Sequence, residues 1–566
     1  MEAIQPNSQS PVRKKTACAE CRQQKMRCDG DHITSDSLPC SRCRRLKIPC
    51  VFSAPFKRTH KRKRLQELEE EIATLKRQQP SASPVALTSQ QHSGNTPPVR
   101  DEIDSRTSTI PTNRNGGFEG QSADPDPTAW RTIEGLELSP GIIDDCFKLF
   151  FKEYHPMLPI LDPSVTPNTF YQYAPFLFWI IVSIGSRRYT EHPTLIHLLT
   201  LPVIRLASQS ITTRNNPIER IKGFLLLLSW PFPSSASFRD PSFVLAGMLL
   251  HTSMQCGLNT PAFSQDFSKS YSKIPEQDLI RRAEVWAHVV ITYQQICSGT
   301  GQPNLVSFEV CNEETHLKPL LDMLPSTLKI RLQISDIIGR ANKALLNIGL
   351  ASMTPQQERT MDALLKGFCS ELENLNNVSP KLSVWDRLYI SAARQDLTAM
   401  QFYKSVTSLD MQSSVLIFNA TTDILTQFRD LDREFVVHRI CTRYFHSVAL
   451  LSLASLARIL KGPFAGALDQ ARGNSLIDAG ISFLRSCSIS KGDFGAKCAS
   501  FAENLGSSNR IFREADGSVN ITLRVRNRLS AGPIHDIIKY WRDELVGPEF
   551  LQAAPGINQG TPLVDL

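Results

Sequence analysis

Cys18-Ala-Glu-Cys21-Arg-Gln-Gln-Lys-Met-Arg-Cys28 is followed, eleven residues on, by Cys40-Ser-Arg-Cys43-Arg-Arg-Leu-Lys-Ile-Pro-Cys50. Both arms read C-x2-C-x6-C. Six cysteines in two copies of one spacing are hard to obtain by chance, and they decide the reading of the N-terminal region. A thiolate is a soft, anionic ligand that suits zinc. C-x2-C lets two sulfurs bite one ion across a tight turn. Six thiolates cannot supply two separate four-sulfur sites, so two must be shared between two ions. The first cysteine of each arm is the natural one to share. The expectation is two Zn²⁺ per chain. A disulfide framework, two unrelated CxxC redox motifs and a single structural zinc in a protein-binding ribbon are the alternatives. The polar N-terminus, with no apolar signal segment, predicts a reducing compartment and weighs against disulfides.

The charge of the chain is uneven. Residues 1–64 hold 16 Lys and Arg against 5 Asp and Glu, so this head is +11 in a chain of net charge +8. A basic head on a mildly acidic body predicts a polyanionic partner. Residues 1–12 are polar and expected to be disordered, and the cysteine module occupies 13–56. The basic linker 57–64 carries Lys57, Arg58, Lys61, Arg62, Lys63 and Arg64, which read as a nuclear import signal and a phosphate contact. Leu65, Leu68, Ile72 and Leu75 then fall at heptad a and d positions. They predict a short coiled coil over 65–78 and hence a homodimer. Residues 79–140 are read as a disordered linker, because their Gln, Ser, Pro and Thr content is too polar to offset ordering entropy.

From residue 141 the pattern changes. Apolar residues recur at helical spacing through 551, punctuated by Pro, Gly and Asn/Asp pairs, while alternating strand patterns are scarce. The body is expected to be all-α. Its segments fall at 175–188, 193–210, 217–229, 241–257, 278–298, 327–350, 356–376, 383–407, 412–430, 434–461 and 473–488. Residues 489–535 read as a long loop, Leu529–Leu551 as a further helix, and 552–566 as a tail. The most apolar runs, Pro175–Gly185 and Phe224–Trp230, are far shorter than the ~20 residues of a membrane span, so no membrane partner is expected. The eight scattered cysteines outside the module read as buried small hydrophobes. No HExxH, P-loop, dinucleotide loop or GxSxG is present, so the chain is not expected to be an enzyme.

The string Thr16-Ala-Cys-Ala-Glu-Cys-Arg-Gln-Gln-Lys-Met-Arg-Cys-Asp29 resembles the first arm of the fungal binuclear zinc cluster transcription factors. The resemblance implies that Cys18 and Cys40 bridge both zinc ions, with Cys21 and Cys28 completing one site and Cys43 and Cys50 the other. It implies that Lys25 reads a CGG-type triplet in the major groove, as lysine can by donating to guanine O6 and N7. Arg22 and Arg27 match positions that touch phosphates, and Arg44, Arg45 and Lys47 serve electrostatically. Pro39, directly before Cys40, departs from the usual place of the family's loop proline. The body, from Phe150-Phe151-Lys-Glu-Tyr154-His155-Pro156 through Ser229-Trp230-Pro231-Phe232-Pro233 and Cys256-Gly257-Leu258, resembles the regulatory middle-homology region. It is most similar to the subgroup of extracellular-protease and weak-acid-stress regulators.

These readings combine into one expected architecture: a small zinc-stabilised binuclear cluster module and a large all-α regulatory domain, joined by a short coiled coil and a disordered linker. The expected function is a nuclear, DNA-binding regulator or activator of RNA polymerase II genes, acting on a pathway or gene cluster. Its partners would be double-stranded DNA, a second copy, the transcription machinery and an unidentified small-molecule inducer. A zinc-stabilised interaction scaffold, or an enzyme anchored by a zinc module, are the rivals.

Overall fold

The computed structural model describes residues 17–18, 21, 27–29, 39–46, 48–51 and 127–545, the last with short breaks at 214, 234–239, 262, 264–273, 305, 307–316, 379–381, 491, 509–510 and 515. The chain divides into two compact units, one within residues 1–101 and one within 102–566. Residues 57–64, the expected coiled coil 65–78 and the tail 552–566 lie outside the described residues.

In the first unit the one described helix is α1 (Ser41–Leu46). Among the described residues of this unit the buried ones are cysteines. Cys18, Cys21, Cys40 and Cys43 form the centre, with Ala17, Cys28, Ile48 and Cys50 half-buried around them. So small a segment has no surface to spare for an apolar core.

The second unit opens with a hairpin, β1 (Arg131–Ile133) and β2 (Leu136–Leu138), paired antiparallel with Arg131 opposite Leu138. This corrects the expectation of linker through residue 140. Glu134 and Gly135, both at positive φ (45° and 84°), make the two-residue turn that right-twisted hairpins favour. Three-residue strands around Glu-Gly were too short to read from the sequence. Tertiary partners fix them. Asn168 accepts from Ala129 N (3.1 Å) and from Arg131 (2.9 Å), and donates to the Pro127 carbonyl (3.0 Å). The Arg131 guanidinium lies over the Tyr171 ring.

The rest is helical. In order come α2 (Pro140–Leu149), α3 (Pro167–Tyr173), α4 (Pro175–Gly185), α5 (Leu195–Ser210), α6 (Pro217–Ser229), α7 (Ser242–Gln255), α8 (Glu276–Thr300), α9 (Leu317–Asp322) and α10 (Ser326–Ile348). Then follow α11 (Pro355–Val378), α12 (Val384–Ala399), α13 (Met411–Phe435), α14 (Val437–Ile440), α15 (Arg443–Leu460), α16 (Gln470–Cys487), α17 (Phe494–Ser507) and α18 (Gly532–Leu545). Local chemistry sets many of the starts. Ser139 caps α2 ahead of Pro140, and Ser383 and Asp386 form a capping box on α12.

Two adjoining apolar cores organise the body. One is built from Ile133 to Leu332 and the other from Ile330 to Tyr540. Helix α10 serves both. Leu328 and Leu332, one turn apart, face the first core, while Ile330, Ile334, Ile337 and Ile338 face the second. Helix α4 is buried from Phe176 to Gly185. Among the described residues no helix is long and apolar enough to cross a membrane. Polar ties also join the two halves: Trp230 Nε1 donates to the Ile440 carbonyl (3.0 Å), and Arg443 pairs with Asp240.

Two more sequence expectations need correction. The single helix read over 434–461 is broken. Val436 takes a left-handed φ of 53°, and Cys441-Thr442 separates α14 from α15. The loop read over 489–535 contains α17. Asp493 starts that helix by accepting from Ala496 N (2.9 Å), and its second oxygen holds Ile489 N and Ser490 N.

Candidate metal centre and nucleic-acid interface

The first unit brings its six cysteines into two overlapping groups of four. Cys18, Cys21, Cys28 and Cys40 lie with their sulfurs within 4.8 Å of one another, and so do Cys18, Cys40, Cys43 and Cys50. The arms are related by an approximate exchange. Cys18 Sγ is 3.8 Å from Cys43 Sγ, Cys21 Sγ is 3.7 Å from Cys40 Sγ, and Cys18 and Cys40 are 4.0 Å apart. A disulfide needs about 2 Å. A zinc tetrahedron with bonds of about 2.3 Å has edges of about 3.8 Å, so these separations fit sulfurs around a metal ion.

The backbone repeats the same exchange. Cys21 N donates to Cys18 Sγ (3.5 Å) and Cys43 N to Cys40 Sγ (3.5 Å), the hydrogen bonds of a C-x2-C turn. Cys18 N reaches Cys28 Sγ (3.5 Å) and Cys40 N reaches Cys50 Sγ (3.4 Å), closing each x6 arm on its own start. Cys18, Cys28, Cys40 and Cys50 thus each accept one backbone N–H. Burial raises the Cys18 thiol, but the Cys21 amide and neighbouring sulfurs outweigh it and the net direction is down. The Cys43 amide draws Cys40 down to about 6 against its burial. Burial pushes Cys21 up to about 12 and raises Cys43 and Cys50.

One contact joins the arms without sulfur. Asp29, immediately after Cys28, accepts from Ser41 N (2.9 Å) and from the Ser41 hydroxyl at the start of α1. These bonds lower its carboxyl pKa. Sequence reading passed over Asp29 because an acid after a cysteine has no pattern of its own. It also passed over Arg42, a half-buried side chain that lowers the pKa of Cys21 in the opposite arm.

Of the basic residues singled out from the sequence, Arg27, Arg44 and Arg45 are exposed, the last two in the final turn of α1. Arg22, Lys25 and Lys47 lie outside the described residues.

Residues 16–59 match the fungal Zn(2)-Cys(6) binuclear cluster domain. That match is confined to the N-terminal unit and shows a binuclear cluster domain there. The cluster binds two zinc ions, and the donor set just described fits them. The chain is similar to the regulatory protein LEU3 of Saccharomyces cerevisiae, 23% identical over 361 residues, covering 52% of this chain and 40% of the relative. It is also similar to the putative transcription factor SEF1 of Kluyveromyces lactis, 24% identical over 198 residues, covering 34% and 17%. A third relative is the depudecin biosynthesis cluster-specific transcription activator DEP6 of Fusarium langsethiae, 34% identical over 100 residues, covering 17% and 15%. The chain thus spans 40% or less of the length of these curated relatives. Their names are those of regulators, not enzymes. No solved structure matches the chain at comparable significance.

Proposed function

We propose that the chain is a nuclear, sequence-specific DNA-binding regulator of transcription. The observation that carries this reading is the pair of sulfur groups sharing Cys18 and Cys40, set in a head of charge +11. In this reading Cys18 and Cys40 bridge the two ions, Cys21 and Cys28 complete one site, and Cys43 and Cys50 the other. The metal's role is structural: it fixes the turn of each arm and so the direction in which basic side chains project. Lys25 donates to guanine O6 and N7 of a CGG-type half-site, and Arg22, Arg27, Arg44, Arg45 and Lys47 hold phosphates. The exposure of Arg27, Arg44 and Arg45 supports that division. Lys57, Arg58 and Lys61 to Arg64 direct nuclear import. Leu65, Leu68, Ile72 and Leu75 form the dimer seam, so that two clusters engage paired half-sites. The helical body regulates activity through the transcription machinery, in response to a small-molecule inducer.

The test compares Lys25→Met with Arg27→Met in the full chain, on CGG and altered half-sites at several salt concentrations. Lys25→Met should cost ~1–3 kcal/mol and flatten discrimination among triplets. Arg27→Met should weaken all sequences alike and reduce the salt slope by about one unit. A triplet preference that survives Lys25→Met would move the reader to another residue.

A further inference from the structure

Three of the body's soft donors meet at one point. Cys441 lies in the break between α14 and α15, His446 in the first turn of α15, and Cys487 at the end of α16. Their ligand atoms all lie within 4.8 Å of one another, and all three residues are buried. The sequence reading took these cysteines for small hydrophobes, since 45 residues separate Cys441 from Cys487 with no recognisable ligand spacing.

The histidine is set for coordination. Its Nδ1 lies 2.9 Å from the Thr442 carbonyl oxygen, which can only accept. Nδ1 therefore carries the proton, and in the neutral ring Nε2 is the acceptor, already turned to the Cys487 thiol. A carbonyl partner on the other ring nitrogen is the usual arrangement for a metal-bound histidine. The scaffold is fixed as well. The Arg188 guanidinium donates to the carbonyls of His438 (3.2 Å) and Ser486 (2.9 Å), stapling together the segments that present Cys441 and Cys487. Pre-positioned donors held by outer contacts are what a metal site needs.

We propose that Cys441, His446 and Cys487 form a third zinc site, inside the helical body and independent of the N-terminal cluster. Two thiolates and a neutral imidazole make a formally neutral site with Zn²⁺, which suits a buried position. Binding releases the two thiol protons to solvent. All three residues also line a cavity bounded by Arg187, Arg443, Phe232, Asp240 and Asp493. Asp493 is committed to the turn before α17. The fourth coordination position therefore opens on the cavity, beside two guanidinium groups, and takes water or a small anion.

The test is zinc content of the full chain after dialysis against a weak chelator. The expected result is about three ions per chain, falling to about two in Cys441→Ser/Cys487→Ser and to about one in Cys18→Ala/Cys40→Ala. The last variant keeps its remaining ion while losing DNA binding, so this proposal and the DNA-binding reading fail separately. A second measurement guards against misfolding. Cobalt added to metal-depleted Cys18→Ala/Cys40→Ala should give the visible bands of a tetrahedral thiolate site, and His446→Gln in that background should weaken or shift them. Two ions in the unaltered chain, or three that persist in Cys441→Ser/Cys487→Ser, would overturn the assignment.

Discussion

Cysteine is buried in both units of this protein, for different reasons. Among the described residues of the N-terminal unit the buried centre is Cys18, Cys21, Cys40 and Cys43 themselves, with Ala17 and Ile48 half-buried beside them. In the body, Cys146, Cys297 and Cys498 are buried among Phe, Leu and Ile side chains of two extensive apolar cores. The first unit is held by metal bonds between residues that would otherwise repel as thiolates. The second is held by area removed from water, about 25 cal/mol per Å² of apolar surface. A segment as short as this gains much of its stability from a ligand that binds the folded state.

The sharpest way to test that contrast is to remove a shared sulfur. Cys40 belongs to both four-sulfur groups, whereas Cys28 belongs to one. Cys40→Ser should therefore release both cluster ions and unfold the N-terminal unit, a loss of order 10 kcal/mol in metal-coupled folding. DNA binding should vanish while the helical circular-dichroism signal stays nearly unchanged. Loss of the helical signal as well would show that the two units do not fold independently.

A smaller effect is expected from the body's own buried charge. Arg458 and Asp536 are fully buried and paired at 2.6 Å, and Asp536 also accepts from Arg524 N and Val525 N. Asp536→Asn keeps the shape and leaves Arg458 uncompensated. It should lower stability by about 3–5 kcal/mol, read as a shift in urea midpoint, with metal content unchanged. A shift under about 1 kcal/mol would mean that water reaches the arginine.

A further effect concerns pH. Asp396 on α12 has no cation among the groups that shift it. Burial pushes its carboxyl up to about 7, against weaker help from Ser530 and Ser298. Between about pH 4 and pH 7 the folded chain keeps a proton that the unfolded chain has lost. Stability should fall as pH rises through that window and level off above it. Asp396→Asn should flatten this slope in urea midpoints measured at pH 4.5, 6 and 7.5. An unchanged slope would place the responsible group elsewhere.

The helical segments were legible wherever burial repeated every three to four residues. The runs read over 175–188, 217–229 and 473–488 return as α4, α6 and α16, with ends displaced by a few residues. Failures came where a distant partner decided the backbone. The hairpin at 131–138 exists because Asn168 and Tyr171 hold it. The break between α13 and α14 follows from a left-handed Val436 that no residue preference announces. Helix α17 begins at Asp493, which caps it after a Ser-Lys-Gly run, and its apolar face of Cys498, Ala502 and Leu505 is short.

By itself the sequence determined the metal chemistry of the N-terminal unit, because ligands on one short segment must be spaced along that segment to reach a common ion. It determined the helical class of the body for a similar reason, since one face of each helix repeats with the turn. The tertiary structure alone decided that Asp29 ties the first arm to α1, that α10 serves two cores, and that Cys441, His446 and Cys487 converge. Those contacts join residues whose separation along the chain obeys no period. Only the packing of whole helices brings them within reach of one another.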